Sequence, residues 1–314
     1  MPYDVTPAKD PGDFGPTTYQ RLLRNPDAPR GYVVIGAFAI LVGWMIASLI
    51  ILGFQQAIRK DPAGTVSWFG LLATNLSLIV LIPLSMLVAR RLNRQAPGLL
   101  SSVVGRLRWK PLAWFALAAV VLELVMLLVI QLGNIELAGG ERHGGGAAPD
   151  AVAVIAVTLL TSTFQAAGEE YFFRGYLLQA VGALVRSAVI AILVTTILFT
   201  LAHGIWPWES PALFLDRFAF GLVAAFLVIR TGGLEASIAA HAANNVVTFI
   251  FAALTNSVGA SLGVKDAPWD LVAVDIVKFV AFGAVALWMA KRMKLSTVCD
   301  LPLTGSDVPP KRLV

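Results

Sequence analysis

Glu169 and Glu170 stand side by side in "GEEYFFRGYLL", which follows the apolar run "AVAVIAVTLLTSTF", with Arg174 four residues beyond Glu170. A carboxylate in the middle of a membrane helix costs roughly 3 kcal/mol on insertion scales, so such acids mark a pair, a cavity or a site. Consecutive helical residues point about 100° apart, so the two acids face different neighbours. Glu170 and Arg174, acid first and four apart, suit an intrahelical ion pair. That pairing leaves Glu169 without a cation and available for chemistry. Two further clusters follow: Phe199 with His203 in "FTLAH", and His241 with Asn245 in "HAANN", each pair on one helix face. Singly, each has a plainer explanation as interfacial charge, core histidine or interhelical amide. Jointly they are the parts of a hydrolytic site. A carboxylate can take a proton from water, an imidazole can orient that water or protonate a leaving amine, and His with Asn can hydrogen-bond an oxyanion. No serine sits in a G-x-S-x-G elbow, and Cys299 lies far from the cluster, so water is the expected nucleophile.

The elements that must position these groups are apolar helices. Of 314 residues 57% are hydrophobic and only 14% charged, with a mean hydropathy of +0.76. Soluble domains carry about 25% charged residues, so the fold class expected is all-α, a polytopic integral membrane protein. A span needs around 20 helical residues. Runs 31–54, 67–89, 112–132, 151–170, 187–204, 211–230, 233–256 and 270–290 give about eight transmembrane helices. The expected organisation is a flexible cytosolic tail over 1–30, three N-terminal transmembrane helices over 31–132, a four-helix core over 151–256, and a last helix with a cytosolic tail over 270–314. The net charge of +5 is no nucleic-acid footprint, because its Lys and Arg residues cluster at the ends of apolar runs.

Loop 90–111, with Arg90, Arg91, Arg94, Arg106, Arg108 and Lys110, reads as cytoplasmic by the positive-inside rule, as do Lys291, Arg292 and Lys294. The Gly-rich loop 133–150, with Glu136, Glu141 and Asp150, suits the outside. Eight spans with both termini cytoplasmic, in the inner (plasma) membrane, satisfy all three, with Arg59 and Lys60 dissenting. Trp206 and Trp208 fit an outer aromatic belt. Of the other polar residues in the spans, Glu123 has an interior partner or a functional role, Asp275 and Lys278 neutralise each other, Asp216 and Arg217 are interfacial, and Asn75 is an interhelical contact. Asn244 points away from His241 and Asn245 and suits a bridge between helices.

The pattern E-E-x-x-x-R, F-x-x-x-H and H-x-x-x-N, in this order over residues 151–256, resembles the CPBP family of intramembrane proteases. That family includes the CAAX prenyl endopeptidase and bacterial relatives linked to bacteriocin processing or self-immunity. The resemblance implies Glu169 as the base that activates water, His203 as its assistant, and His241 with Asn245 as the oxyanion hole. Glu170, Arg174 and Phe199 would support them. It implies a membrane-embedded or membrane-associated peptide as substrate and no cofactor. Zinc matches the stoichiometry of Glu with two His, but a glutamate acting as base is a poor ligand. The chain's short loops look bacterial, so a membrane-bound peptide other than a prenylated CAAX terminus is expected.

One difficulty follows from ideal spans. Glu169 falls near the cytoplasmic end of its helix and His203 near the outer end of the next, roughly 20 Å apart in depth. Either the helix continues through "FFRGYLLQAVGAL" and raises Glu169 towards mid-depth, or 175–187 re-enters the bilayer. Irregular backbone of that kind is tolerated where it lines a water-filled cavity. Two other functions compete: a non-catalytic CPBP-like immunity or scaffold protein, and a proton-coupled transporter relaying through Glu123 and Glu169. The full set Glu169, His203, His241 and Asn245 argues against the first. The lack of an internal repeat argues against the second.

Overall fold

The computed structural model describes residues 16–24, 28–61, 66–136, 146–185 and 187–301. Lys9, Glu141 and the tail beyond 301 lie outside these. The chain is an all-α polytopic membrane protein. In order, the helices are α1 (Tyr32–Ile58), α2 (Trp68–Arg91), α3 (Trp109–Leu132), α4 (Ala151–Leu184), α5 (Ala188–Ala202), α6 (Pro211–Thr231), α7 (Glu235–Leu254), the short α8 (Val258–Leu262) and α9 (Trp269–Arg292). Seven of them are long and apolar enough to cross a membrane; α5 is not. The outer sides are bare hydrocarbon: α1 alone exposes Ile35, Phe38, Val42, Met45, Leu49 and Ile50. Apolar area on this scale is unsuited to water and suits lipid.

Two expected spans are corrected. The run ending at 170 continues without a break to Leu184, a helix of 34 residues, so the re-entrant alternative for 175–187 does not hold over the described part. Hydropathy marks an end at Glu169 and Glu170 because it reads charge as water; here neighbouring helices bury that charge. The run 187–204 makes a helix of only 15 residues, about 22 Å long at 1.5 Å per residue, short of the roughly 30 Å hydrocarbon core.

The expected flexible tail is also corrected where it is described. Thr17 and Thr18 pair antiparallel with Val298 and Cys299, and Tyr19, Leu22 and Leu23 are buried. Three apolar residues at i, i+3 and i+4 supply enough apolar surface to fasten the segment. The Tyr19 hydroxyl donates to the Leu100 carbonyl, so both terminal segments lie on the same face as the Arg-rich loop.

That face ties the helices in register. Gln95 donates to Gln179 at 2.9 Å, and Gln179 to the Leu99 carbonyl at 2.9 Å. The Tyr176 hydroxyl donates to Asn93 at 2.8 Å. Arg108 holds Glu235 by two side-chain bonds of 2.8 and 2.6 Å, joining the start of α3 to the start of α7. Bidentate geometry is what the planar guanidinium supplies and an ammonium cannot. Gly232 closes α6 in the left-handed region at φ 72°, where a Cβ would also strike the Ser296 carbonyl. Above this floor, Ala119, Ala236, Ala239, Ala243, Ala286 and Ala290 pack α3, α7 and α9 together. Small side chains let helix backbones approach closely where lipid gives no hydrophobic drive.

Candidate active site

The carboxylates sit in α4, and two departures from α-geometry frame them. Residues Thr158–Ser162 and Tyr171–Leu177 are π-helical. Each wide turn rotates the faces beyond it, and such bulges are frequent at functional sites. Asn75 of α2 braces the first, donating to Thr161 at 2.7 Å and Ser162 at 3.1 Å. Between the two, α4 presses against α2 at Gly168, where a Cβ would collide with the Leu78 carbonyl.

Glu170 and Arg174 are both fully buried, and Arg174 Nη1 donates to Glu170 Oε1 at 2.9 Å. From α7, His241 Nδ1 meets the same oxygen at 2.9 Å. An ion-paired carboxylate only accepts, so the hydrogen is on Nδ1 and Nε2 is the free nitrogen of the ring. One helical turn along, Gln165 Nε2 donates to Glu169 Oε1 at 2.5 Å, and Asn245 Nδ2 donates to Gln165 Oε1 at 2.9 Å. Two rungs thus cross between antiparallel helices: Glu170 to His241, and Glu169 through Gln165 to Asn245.

Phe199 of α5 is the hub beneath the rungs. The Arg174 guanidinium lies 3.9 Å from its ring centroid. The His203 and His241 imidazoles stand tilted or edge-on to it at 4.6 and 6.1 Å. Phe220 of α6 packs on His241 at 5.1 Å. The charge-on-ring contact stabilises a desolvated cation by about 2 kcal/mol, and it keeps Arg174 from swinging away from Glu170.

The depth difficulty disappears with the lengthened α4. Phe173 and Phe199 touch across the α4–α5 hairpin, with ring centroids 5.3 Å apart. Four residues back along α4 is Glu169; four residues on along α5 is His203. Both therefore lie one turn above the same contact. His203 Nδ1 meets the Phe199 carbonyl at 2.8 Å; a carbonyl only accepts, so Nε2 is again the free nitrogen. The ring is anchored to its own helix end and not to Glu169. His203 and most of the loop after it are exposed, though Ile205 and Ser210 are buried; Asn245 is half-buried, and Glu169 and His241 are buried.

Of the seven expected site residues, Glu169, Glu170, Arg174, His241 and Asn245 form the two rungs, Phe199 stands beside both histidines, and His203 stands edge-on to Phe199 at the end of α5. Gln165 went unrecognised in sequence, although it stands four residues before Glu169 and so on its face. The other polar residues also resolve. Asp275 does pair with Lys278, at 2.8 Å, but Lys278 is shared with Glu123 at 3.1 Å and reaches Asn244 at 3.2 Å. Asp216 is buried beside Arg217, not interfacial. Among the described residues no group of three or more His, Cys, Asp or Glu side chains converges as metal ligands would.

Residues 151–247 match the family model described as type II CAAX prenyl endopeptidase Rce1-like. This stretch is Rce1-like. It covers α4, α5, α6 and the first half of α7, and so every residue of both rungs. The uncharacterized protein YyaK of Bacillus subtilis (strain 168) is 32% identical over 154 residues, which is 45% of this chain and 50% of that protein. The chain thus spans about half the length of this relative. No solved structure matches the chain. The resemblance in the three motifs and the Rce1-like match coincide on the same helices, and the chain is a multi-pass membrane protein with a CAAX-protease-like core.

Proposed function

We propose that the chain is an intramembrane endopeptidase that hydrolyses a peptide bond of a membrane-associated peptide, with Glu169 as general base. The observation that carries the reading is the pair of rungs. They set Glu169, His241 and Asn245 side by side where α4 faces α7, with His203 at the end of α5.

Glu169 takes one proton from water as the oxygen attacks the scissile carbonyl. Asn245 gives one amide N–H to Gln165 and keeps its second for the oxyanion. His241, oriented by the Glu170 bond to Nδ1, donates to the oxyanion from Nε2 when both ring nitrogens carry hydrogen. The carbon–nitrogen bond then breaks, and the proton taken by Glu169 reaches the leaving amine through His203. General acid–base steps contribute about 10²–10⁴-fold each, and an oxyanion donor about 10²–10³-fold. Glu170 and Arg174 are positioning residues: they hold the tautomer and direction of His241. Gln165 does the same for Glu169 and Asn245.

The Arg-rich loop beside the terminal segments supports a cytoplasmic position for that face by the positive-inside rule, and our reading sets the chain in an inner (plasma) membrane. Purified protein in nanodiscs, offered a library of membrane-tethered peptides, should cleave a subset, and Glu169→Gln should cleave none while eluting as the native species. Equal cleavage by the variant rules out the assignment.

A further inference from the structure

A cavity of about 170 Å³ opens between α3, α6, α7 and α9. It adjoins the candidate active site without using its residues. Asn244, one position before Asn245, is in its wall, as is Arg217. By way of scale, an engineered apolar cavity of about 150 Å³ suffices for benzene.

Its walls divide by chemistry. Met126, Ile130, Val247, Phe251, Leu271 and Val272 make one side apolar. The other side holds Glu123, Asp216, Asp275, Arg217 and Lys278. Lys278 is shared by Glu123 and Asp275, and Arg217 holds Asp216 Oδ2 at 2.5 Å. Three carboxylates thus face two cations, a formal excess of one negative charge. The Arg217–Asp216 pair is balanced one to one, so the excess lies on Glu123 and Asp275, which share the single ammonium of Lys278 and keep partly exposed side chains. Two carboxylates on one buried cation are incompletely compensated, and a cation entering the cavity would balance them.

We propose that this cavity is a specificity subsite that takes an ammonium or guanidinium group on an apolar stem from the peptide substrate. Lys and Arg side chains have this form, an apolar stem ending in a charge, and so does a free amino terminus following an apolar residue. The subsite rests on the endopeptidase reading, because its position next to Asn245 is what makes its occupant a neighbour of the scissile bond. It draws on α3 and α9, which lie outside the Rce1-like stretch.

The test uses membrane-tethered peptides identical except for one scanned position carrying Lys, Arg or Met, each with an acetylated or a free amino terminus. Binding is read by fluorescence anisotropy on the full-length Glu169→Gln protein in nanodiscs, and cleavage on the native protein. At one position Lys or Arg should bind about tenfold or more tighter than Met. Asp275→Asn in the Glu169→Gln background should bring that ratio to within about twofold. Glu123→Gln in the same background makes the same test a second time. A gain confined to the free-terminus peptides assigns the cation to the amino terminus; a gain in acetylated peptides assigns it to the side chain. No gain in any peptide, or an unchanged ratio in both variants, overturns the subsite. Cleavage without cationic preference leaves the endopeptidase and removes the subsite. Cationic binding with no cleavage by native protein does the reverse.

Discussion

Glu170 Oε1 and His241 Nδ1 lie 2.9 Å apart across two antiparallel helices, and the same oxygen accepts from Arg174 one turn along its own helix. One buried carboxylate atom therefore does two jobs, neutralising a buried guanidinium and fixing an imidazole. The jobs separate by mutation. Glu170→Gln should lower stability by about 3–5 kcal/mol, because it leaves Arg174 buried without its counter-charge. Adding Arg174→Met should recover much of that stability while cleavage stays low, because His241 still lacks its ionised acceptor. Thermal unfolding and cleavage measured on the same nanodisc preparations check both halves. Recovery of cleavage along with stability would reduce Glu170 to a counter-charge for Arg174.

Asn245 spends one amide hydrogen on Gln165 and is assigned to stabilise the oxyanion with the other. Asn245→Ala should lower kcat by about 10²–10³-fold with little change in KM, as removal of an oxyanion donor does. Steady-state cleavage of one defined peptide reads the two constants separately. A rise in KM with kcat preserved would make Asn245 a binding residue instead.

Gly168 is the point where α4 meets the Leu78 carbonyl of α2. Backbone cannot rotate aside as a side chain can. Gly168→Ala should therefore separate the helices and cost about 1–3 kcal/mol, the range for overpacking. It should also impair cleavage, since Gly168 adjoins Glu169. Gly31→Ala, just before α1, where a Cβ would meet nothing within 4 Å, is the control expected to leave both readings unchanged.

Asp266 lies in the loop before α9. The Ser210 hydroxyl donates to it at 2.5 Å and the Ala267 N–H at 2.9 Å. The Ser210 bond, followed by the Ala267 bond, holds its carboxyl below the usual aspartate range. A depressed folded pKa stabilises above the unfolded value, about 3.9, and that contribution disappears as pH falls through the folded one. The Tm difference between native protein and Asp266→Asn should thus be present at pH 7 and vanish by the acid limit. A difference that grows on acidification would contradict the assignment.

The three motifs were legible because each uses the four-residue spacing that puts two side chains on one helix face, and because polar groups are rare in this chain. Their meeting was not. Hydropathy ends a span at the first charges, so it cut α4 at Glu170 and set Glu169 and His203 far apart in depth. The charges of α4 are its buried middle, and only neighbouring helices reveal that. Gln165 was hidden because a lone glutamine in an apolar run resembles an interhelical contact. Its spacing to Glu169 carried the signal. The bond from Lys278 to Glu123 joins residues 155 positions apart, and no local pattern encodes it. The anchoring of Tyr19, Leu22 and Leu23 depends in the same way on a floor built from distant loops.

The central claim is that Glu169, unlike its neighbour, handles the proton of the attacking water. Single-turnover cleavage by native protein and Glu169→Gln, in water enriched in oxygen-18, tests it most directly. The account predicts one heavy oxygen in the new carboxyl terminus with native protein, and a rate at least about 10²-fold lower for the variant with peptide binding retained. Comparable rates in the two proteins, or a new terminus without heavy oxygen, would contradict it.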